Sequence, residues 1–317
     1  MSLMPFVQIV ARGQGRARPL TQAEAFDAMQ IMLSGGFDPE ALGALLMVLR
    51  VRGETVDEIA GFTAALRAHS GVNLSADLDW PSYAAGRSRG APLFLLSAIL
   101  VAQAGYKICL HGWNSHQQSH ASVRDALEPL GIPIGANAAP ITYLPVEKTA
   151  PKAFDLLALR DKLGLRSCIN TVLRMWNPTN APASVQGVFH PSYRSLQAQA
   201  AQRLGQSALT VIKGGGGEFE RNPSKDVQLF GIKDGAHYQD TAVPIIQETR
   251  KLHEPENPVD LVRLWRGQDK DDFAAATVIS TAGLALWTLG AADGIRQADT
   301  MAANLWIRRN SEQRISA

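Results

Sequence analysis

The stretch SYAAGRSRG at residues 82–90, followed by APLFLLSAIL at 91–100 and GYKICLHG at 105–112, decides the fold. A loop of small residues opens an apolar helix, and that helix leads into a second apolar strand. Further along the chain, short apolar runs continue to alternate with helix-length segments. This alternation predicts an α/β domain with a mostly parallel central sheet flanked by helices.

The residues before this stretch have a helical pattern and predict a separate small all-α domain. The segment LTQAEAFDAMQIML at 20–33 begins with Thr21 as a candidate N-cap and has Glu24 three residues later, which is the spacing of a capping box. A glycine-containing break precedes a second helix, and a second capping box at Thr55 opens a third. We therefore expect a small helical domain over 1–75 and a larger α/β domain over 76–317.

The overall composition gives little direct information about function. The chain has 317 residues, and its 31 Lys and Arg nearly balance its 29 Asp and Glu, so any basic surface must come from clustering. Cys109 and Cys168 lie in apolar surroundings and predict buried thiols in a reducing compartment. The longest apolar stretch, around 91–104, is too short for a bilayer span, and no leader pattern is present. We expect a soluble cytoplasmic protein without membrane contact.

The loop at 84–90 is the first candidate site. A loop between a strand and a helix N-terminus presents backbone N–H groups to an anion, and Gly86 and Gly90 permit close approach. Arg87 and Arg89 add positive charge. The same residues also fit an ordinary connection with solvated arginines, because two glycines do not make a full phosphate-binding fingerprint.

Two further motifs allow a functional and a structural interpretation. One motif is VIKGGGGEFERNP at 211–223, which predicts either a phosphate-binding loop with Lys213 beside it or a mobile turn. The spacing of its glycines matches neither a P-loop nor a dinucleotide-binding fingerprint, so the turn is favoured. His116 and His120 have a spacing that suits one helix face, yet no third ligand follows nearby. We therefore predict no metal site.

Basic residues cluster between 148 and 174, with only Asp155 and Asp161 to oppose them. The cluster consists of Lys148, Lys152, Arg160, Lys162, Arg166 and Arg174. Together with the loop arginines and Lys213 it predicts either a basic surface for phosphates or a solvated helix face. The aromatic residues Trp113, Trp176 and Tyr193 either stack on bases or pack in the interior.

LGLRSCINTVLRMWNPTNAPASVQGVFHPSY at 163–193 resembles the segment of anthranilate phosphoribosyltransferases in which LGxRT-x-x-N leads to Asn-Pro and then Gln-x-x-Gly-Val. The residues in register are Leu163, Gly164, Arg166, Asn170, Asn177, Pro178, Gln186 and Gly187. TAGLALWTLGAADG at 281–294 resembles the closing helices of that family. The resemblance implies a substrate cleft at a hinge between the domains. It also implies homodimers joined through the helical domain, to which helices around 168–190 would belong.

The chain departs from this family at the positions that handle phosphoribosyl pyrophosphate. The GTGGDG loop of the family corresponds to Ala85, Gly86, Arg87, Ser88, Arg89 and Gly90. Only Ser97 remains of the following Asn-Ile-Ser-Thr, and only His111 and Gly112 remain of the KHGN motif. The acidic pair that helps to hold magnesium falls beside Glu218 and Glu220. Arginine side chains in place of glycine are expected to block the diphosphate cradle.

PSYAAGRSRG at 81–90 and FHPSY at 189–193 resemble a subgroup of bacterial TrpD-like proteins, the YbiB type, more closely than the true enzymes. That resemblance implies sequence-independent binding of nucleic acid through a basic groove on the dimer. We therefore predict a homodimer that has lost phosphoribosyltransferase activity and binds DNA or RNA, without catalytic residues or cofactor. Magnesium would be needed only if transfer is retained. The predicted phosphate-contacting residues are Gly86, Arg87, Ser88, Arg89, Gly90, Ser97, His111, Lys148, Lys152, Arg160, Lys162, Arg166, Asn170, Arg174 and Lys213.

Two other functions remain open on sequence grounds. One is a glycosyl or phosphoribosyl transferase, or a phosphorylase, acting on an unknown aromatic or nucleobase substrate. Arg160, Arg166, Asn170 and Ser97 would then line its cleft. The other is a small-ligand binding protein without catalysis.

Overall fold

The computed structural model describes residues 2–13, 15–83, 90–114, 121–137, 139–252 and 259–310. It confirms the predicted fold class, a small helical N-terminal domain followed by an α/β domain with a mostly parallel seven-stranded sheet. No helix within the described ranges is long and apolar enough to cross a bilayer. Both cysteines are buried free thiols, as predicted.

The N-terminal domain begins with four helices. These are α1 (Met4–Ala11), α2 (Gln22–Ser34), α3 (Pro39–Arg52) and α4 (Val56–His69). Both predicted capping boxes are confirmed, because the hydroxyls of Thr21 and Thr55 each accept the N–H of the glutamate three residues later, which reciprocates. The sequence pattern did not predict α1.

The core of these helices continues into a later part of the chain. This part holds α7 (Val146–Thr149), α8 (Pro151–Ala158), α9 (Arg160–Leu163) and α10 (Ile169–Arg174). The segment PKAFDLLALRDKLG at 151–164 has a helical pattern, but it forms two helices, α8 and α9, that are divided at Leu159. Helix α8 packs against α2 and α10 packs against α4, so one hydrophobic cluster joins both groups of helices.

The sheet places its strands in the order β3-β2-β1-β4-β5-β6-β7. Its strands are β1 (Leu78–Ser82), β2 (Ile108–Gly112), β3 (Ile141–Pro145), β4 (Ala183–Val188), β5 (Ala208–Lys213), β6 (Val227–Lys233) and β7 (Ala236–Ala242). The first five are parallel and the last two form an antiparallel hairpin. Strands β2 and β3 lie on one side of β1, and β4 and β5 lie on its other side. The strand order therefore reverses between β1 and β4, which is the topological switch point. Ligands bind at this point in such sheets.

Helices cover both faces of the sheet. They are α5 (Phe94–Gln103), α6 (Val123–Leu127), α11 (Ser192–Arg203), α12 (Leu261–Trp265), α13 (Asp272–Thr288) and α14 (Ile295–Arg308). Alternating residues of β5 face different cores: Leu209 and Val211 face the helical domain, whereas Ile212 joins the cluster that contains α5 and α13. The carboxyl ends of the central strands therefore open where the helical domain meets the sheet.

The close contact between α2 and α4 requires a glycine at position 61. A Cβ there would overlap the carbonyl oxygen of Gln22 and lie 2.7 Å from the Cβ of Ala25. We expect Gly61→Ala to lower the free energy of unfolding by about 1–3 kcal/mol, measured by urea denaturation, because the interface is overpacked.

Gly43, which lies inside α3, provides the matched control. A Cβ at Gly43 meets nothing within 4 Å, so Gly43→Ala is expected to raise stability by about 0.5–1 kcal/mol through the better helix propensity of alanine. Equal effects of the two substitutions would contradict the described packing of α2 on α4.

Candidate functional site: an arginine pocket at the switch point

A chain of buried polar groups lies beneath the switch point. The Nε2 atom of His111 on β2 lies 3.0 Å from Oδ1 of Asp79 on β1, and its Nδ1 atom lies 2.9 Å from the hydroxyl of Tyr83. Ser184 on β4 donates to the other carboxylate oxygen of Asp79 at 2.8 Å. The contacts of Tyr83 with His111 and of Ser184 with Asp79 are hydrogen bonds, whereas His111 and Asp79 lie at ion-pair distance, so the four side chains form one buried polar cluster.

Two of the predicted phosphate contacts have a structural role. His111 is fully buried within the polar chain, and its ring also packs edge-on against Trp176. Ser97 is fully buried on α5, and its hydroxyl donates to the carbonyl of Val278 at 3.0 Å. Neither side chain reaches the surface of the described structure, so a phosphate contact through either of them stays a prediction. Trp176 is likewise a packing residue.

The other predicted residues from 166 to 174 meet in one small pocket above the polar chain. Arg166, Asn170 and Arg174 line it together with Arg50, which comes from α3. The remaining lining residues are Ser167, Thr171, Val188, Phe189, His190 and Tyr193. The pocket has a volume of about 90 Å³, and no described residue that lines it is acidic. We call this site the arginine pocket.

Positive charge is concentrated at the arginine pocket. The pKa of Arg166 is lowered from its usual value, first by burial and then by the positive charges of Arg160, Arg174 and Arg50. The pKa of Arg174 is also lowered by burial, with partial compensation from Glu218 and Tyr83. Arginine remains protonated at neutral pH in spite of such shifts. The pocket therefore attracts an anion.

The predicted lysines are exposed at the ends of several elements. Lys148 follows β3 on α7, Lys152 begins α8, Lys162 lies on α9 and Lys213 ends β5. None of these four lysines makes an ion pair with another described residue. Arg160, in contrast, lies 3.8 Å from the carboxylate of Asp161.

Part of the first candidate site lies outside the described residues. Gly86, Arg87, Ser88 and Arg89 fall there, and so do His116 and His120. Gly90 is described: it is buried and has a φ of 82°, a conformation that favours glycine.

A carboxylate already occupies the N-terminus of α5, where the sequence predicted an anion. Oε1 of Glu220 accepts the backbone N–H of Phe94 at 3.0 Å, and Glu220 is fully buried. Glu218 is buried as well and interacts electrostatically with Arg174. Among the residues that the structure describes, no three potential metal ligands cluster. Both glutamates thus make contacts within the protein.

The glycine-rich segment after β5, for which the sequence favoured a turn over a phosphate-binding loop, packs closely against other backbone. It forms a 3-10 turn at Gly215–Gly217. A Cβ on Gly214, or on Gly187 of β4, would overlap the backbone of Glu218. These glycines therefore permit close approach between two backbone segments rather than phosphate binding.

Comparison with known proteins identifies the family. A glycosyl transferase family, helical bundle domain, matches residues 5–70, and the α/β domain of the same family matches residues 93–306. The chain belongs to this family, that of the anthranilate phosphoribosyltransferases.

Curated relatives carry that enzyme name. The anthranilate phosphoribosyltransferase of Geobacillus kaustophilus is 28% identical over 95% of this chain and 94% of its own length. The one from Geobacillus stearothermophilus is 32% identical over 68% of this chain and 67% of its own.

Solved structures show the same fold. The enzyme from Thermus thermophilus has a TM-score of 0.77 at 23% identity and covers 91% of this chain and 92% of its own. The enzyme from Saccharomyces cerevisiae, in complex with PRPP and Mg, has a TM-score of 0.78 at 16% identity and covers 98% of this chain and 95% of its own.

The buried polar chain makes a testable contribution to stability. Asp79→Ala removes the acceptor of the Ser184 hydroxyl and the carboxylate beside His111, so we expect a loss of about 1.5–3 kcal/mol in the free energy of unfolding. Asp77→Ala is the control, because Asp77 only accepts the backbone N–H of Lys107 at 2.7 Å near the surface. That variant is expected to lose about 1 kcal/mol. Urea denaturation that gives similar small losses for both would contradict the structural role of Asp79.

Proposed function

We propose that this member of the family binds DNA or RNA without sequence preference, through ionic contacts to phosphate groups, and has lost phosphoribosyl transfer. The observation that carries the proposal is that Arg50, Arg166 and Arg174 line one pocket. Burial, followed by the positive charges of Arg160, Arg174 and Arg50, lowers the pKa of Arg166. An anionic ligand relieves this repulsion. Phosphate contacts of this kind supply affinity for nucleic acid without reading its sequence.

The dimensions of the arginine pocket support a surface ligand over a small buried substrate. Its volume of about 90 Å³ is well below the ~300–1,000 Å³ that is typical of small-molecule sites. The nearby helix N-terminus at Phe94 is already paired with Glu220. Arg87 and Arg89 stand at positions that correspond to the GTGGDG loop of the family, and these two arginines support the same conclusion.

The exposed lysines extend the positive surface in a way that suits a polyanion. Lys148 follows β3 and Lys213 ends β5. These two strands are four strand spacings apart in the sheet, which is about 19 Å. This distance is larger than the size of one phosphate group, so it fits an extended nucleic-acid backbone better than a single nucleotide. The resemblance of 81–90 and 189–193 to the YbiB-type subgroup supports this assignment.

The proposal includes a homodimer formed through the helical domain. Large apolar side chains are exposed there, with Met4 54% exposed on α1 and Val51 85% exposed on α3. Exposed apolar groups of this size favour a protein interface. Since Val51 neighbours Arg50, a dimer that buries Val51 would place the arginine pockets of both protomers close to the interface.

Salt dependence tests nucleic-acid binding. We expect the affinity for a labelled duplex, measured by fluorescence anisotropy, to fall with a log–log slope of several units, about 0.9 for each phosphate neutralised. Arg166→Gln is expected to weaken the binding of duplexes of unrelated sequence equally and to reduce the slope by about 1. The control is Arg263→Gln. It removes an exposed arginine of α12 that is paired with Asp269, and it should leave binding unchanged. An affinity that does not change with salt would contradict the proposal.

A phosphoribosyl transferase is the second candidate, because the curated relatives bear that name and Arg166 and Asn170 keep their place in the shared motif. The test is release of pyrophosphate from phosphoribosyl pyrophosphate in the presence of magnesium, with anthranilate and other aromatic acceptors. We expect no release above the uncatalysed rate. Turnover that Arg166→Gln abolishes would establish the transferase and refute the loss of activity.

A further inference from the structure

An exposed aromatic pair stands at the rim of the arginine pocket. Phe189 is 48% exposed, and its ring lies edge-on to the exposed ring of His190 at a centroid distance of 4.9 Å. Both residues line the pocket that also holds Arg50, Arg166 and Arg174. A phenylalanine left half in water next to guanidinium groups indicates a ligand that combines an aromatic ring with negative charge.

The backbone holds this pair in a fixed position. Phe189 directly follows Val188, the buried last residue of β4, and Pro191 directly precedes α11. The first turn of α11 is anchored by Tyr193, whose hydroxyl donates to Glu54 at 2.9 Å. The two rings are therefore presented between a strand end and a helix start at the β1/β4 switch point. Rigid placement of this kind lowers the entropic cost of binding.

We propose that Phe189 and His190 form a stacking platform for one unpaired nucleobase, so that the protein binds single-stranded nucleic acid more tightly than duplex. The inference rests on the proposed function and specifies its ligand. In a duplex each base is stacked on its neighbours and offers only its edges, whereas an unpaired base offers its π-face. The arginine pocket is too small to enclose a base, so the base lies on the rim, on the ring of Phe189.

The neighbouring side chains provide the other contacts that a nucleotide needs. Arg50 and Arg166 supply charge for the adjacent phosphates, and the amide of Asn170 lines the same pocket as a donor and acceptor for a base edge. This combination of aromatic faces with a cationic groove is typical of proteins that bind single strands without strong sequence preference.

The experiment compares three labelled probes of equal length with wild type and Phe189→Ala. The probes are a thymidine oligonucleotide of about 16 nucleotides, its abasic analogue with the same phosphates, and the matched duplex. Wild type is expected to bind the thymidine strand most tightly. Phe189→Ala is expected to weaken that strand by on the order of tenfold and to leave the other two unchanged, because one base stack contributes about 1–3 kcal/mol, and 1.4 kcal/mol is tenfold.

Further variants separate stacking from other roles of the ring. Phe189→Trp should retain the preference for the thymidine strand, because a larger π-face replaces the ring. Ile307→Ala removes a side chain that is 76% exposed on α14, and should change no probe. Arg166→Gln should weaken all three probes together.

Two results would overturn the inference. One is equal binding of the thymidine strand by wild type and Phe189→Ala. The other is an equal loss of affinity for all three probes in Phe189→Ala, together with a change of oligomeric state on gel filtration. That result would assign the ring of Phe189 to a protein interface. In both cases the proposed function survives if wild type still shows salt-dependent binding. If wild type binds none of the probes, the proposed function itself is refuted.

Discussion

Repulsion between the guanidinium groups of one pocket, where Arg174 is buried, Arg166 partly buried and Arg50 exposed, is the constraint on which the proposed site depends. Arg50, Arg166 and Arg174 share a pocket without an acidic lining residue among the described part of the chain, and Arg160 adds to the positive field. Burial strengthens such repulsion because the protein interior screens charge poorly. The fold tolerates it because the helical domain and the strand ends are each fixed by large apolar cores.

The surroundings of the pocket explain why the family fold does not by itself dictate the family chemistry. Glu220 pairs with the N-terminus of α5 and Glu218 lies beside Arg174, so the carboxylates nearest to the strand ends are used for internal contacts. His111, which the family motif keeps, is enclosed between Asp79 and Tyr83. One fold can host different chemistries, so the function of this chain has to be argued from the side chains of its own site.

The sequence predicted some elements well and others poorly, for identifiable physical reasons. The capping boxes at Thr21 and Thr55 depend on hydrogen bonds within four residues, and both form as predicted. The β6–β7 hairpin also has a local signal in the sequence, because its turn is Asp234–Gly235 and φ is positive at both residues. The close approach of Glu218 to Gly187 had no local signal, because it involves a strand distant in sequence.

By itself, the sequence determined the periodicity of the helices and strands, the caps, the family and the presence of clustered basic residues. These features depend on neighbours in the chain, or on motifs short enough to recognise. Only the tertiary structure decided that Arg50 joins Arg166 and Arg174, that Ser97 faces α13, and that Phe189 stands exposed beside them. Such contacts connect distant segments, and they are decided by how α3, α10 and β4 pack together, which no local pattern encodes.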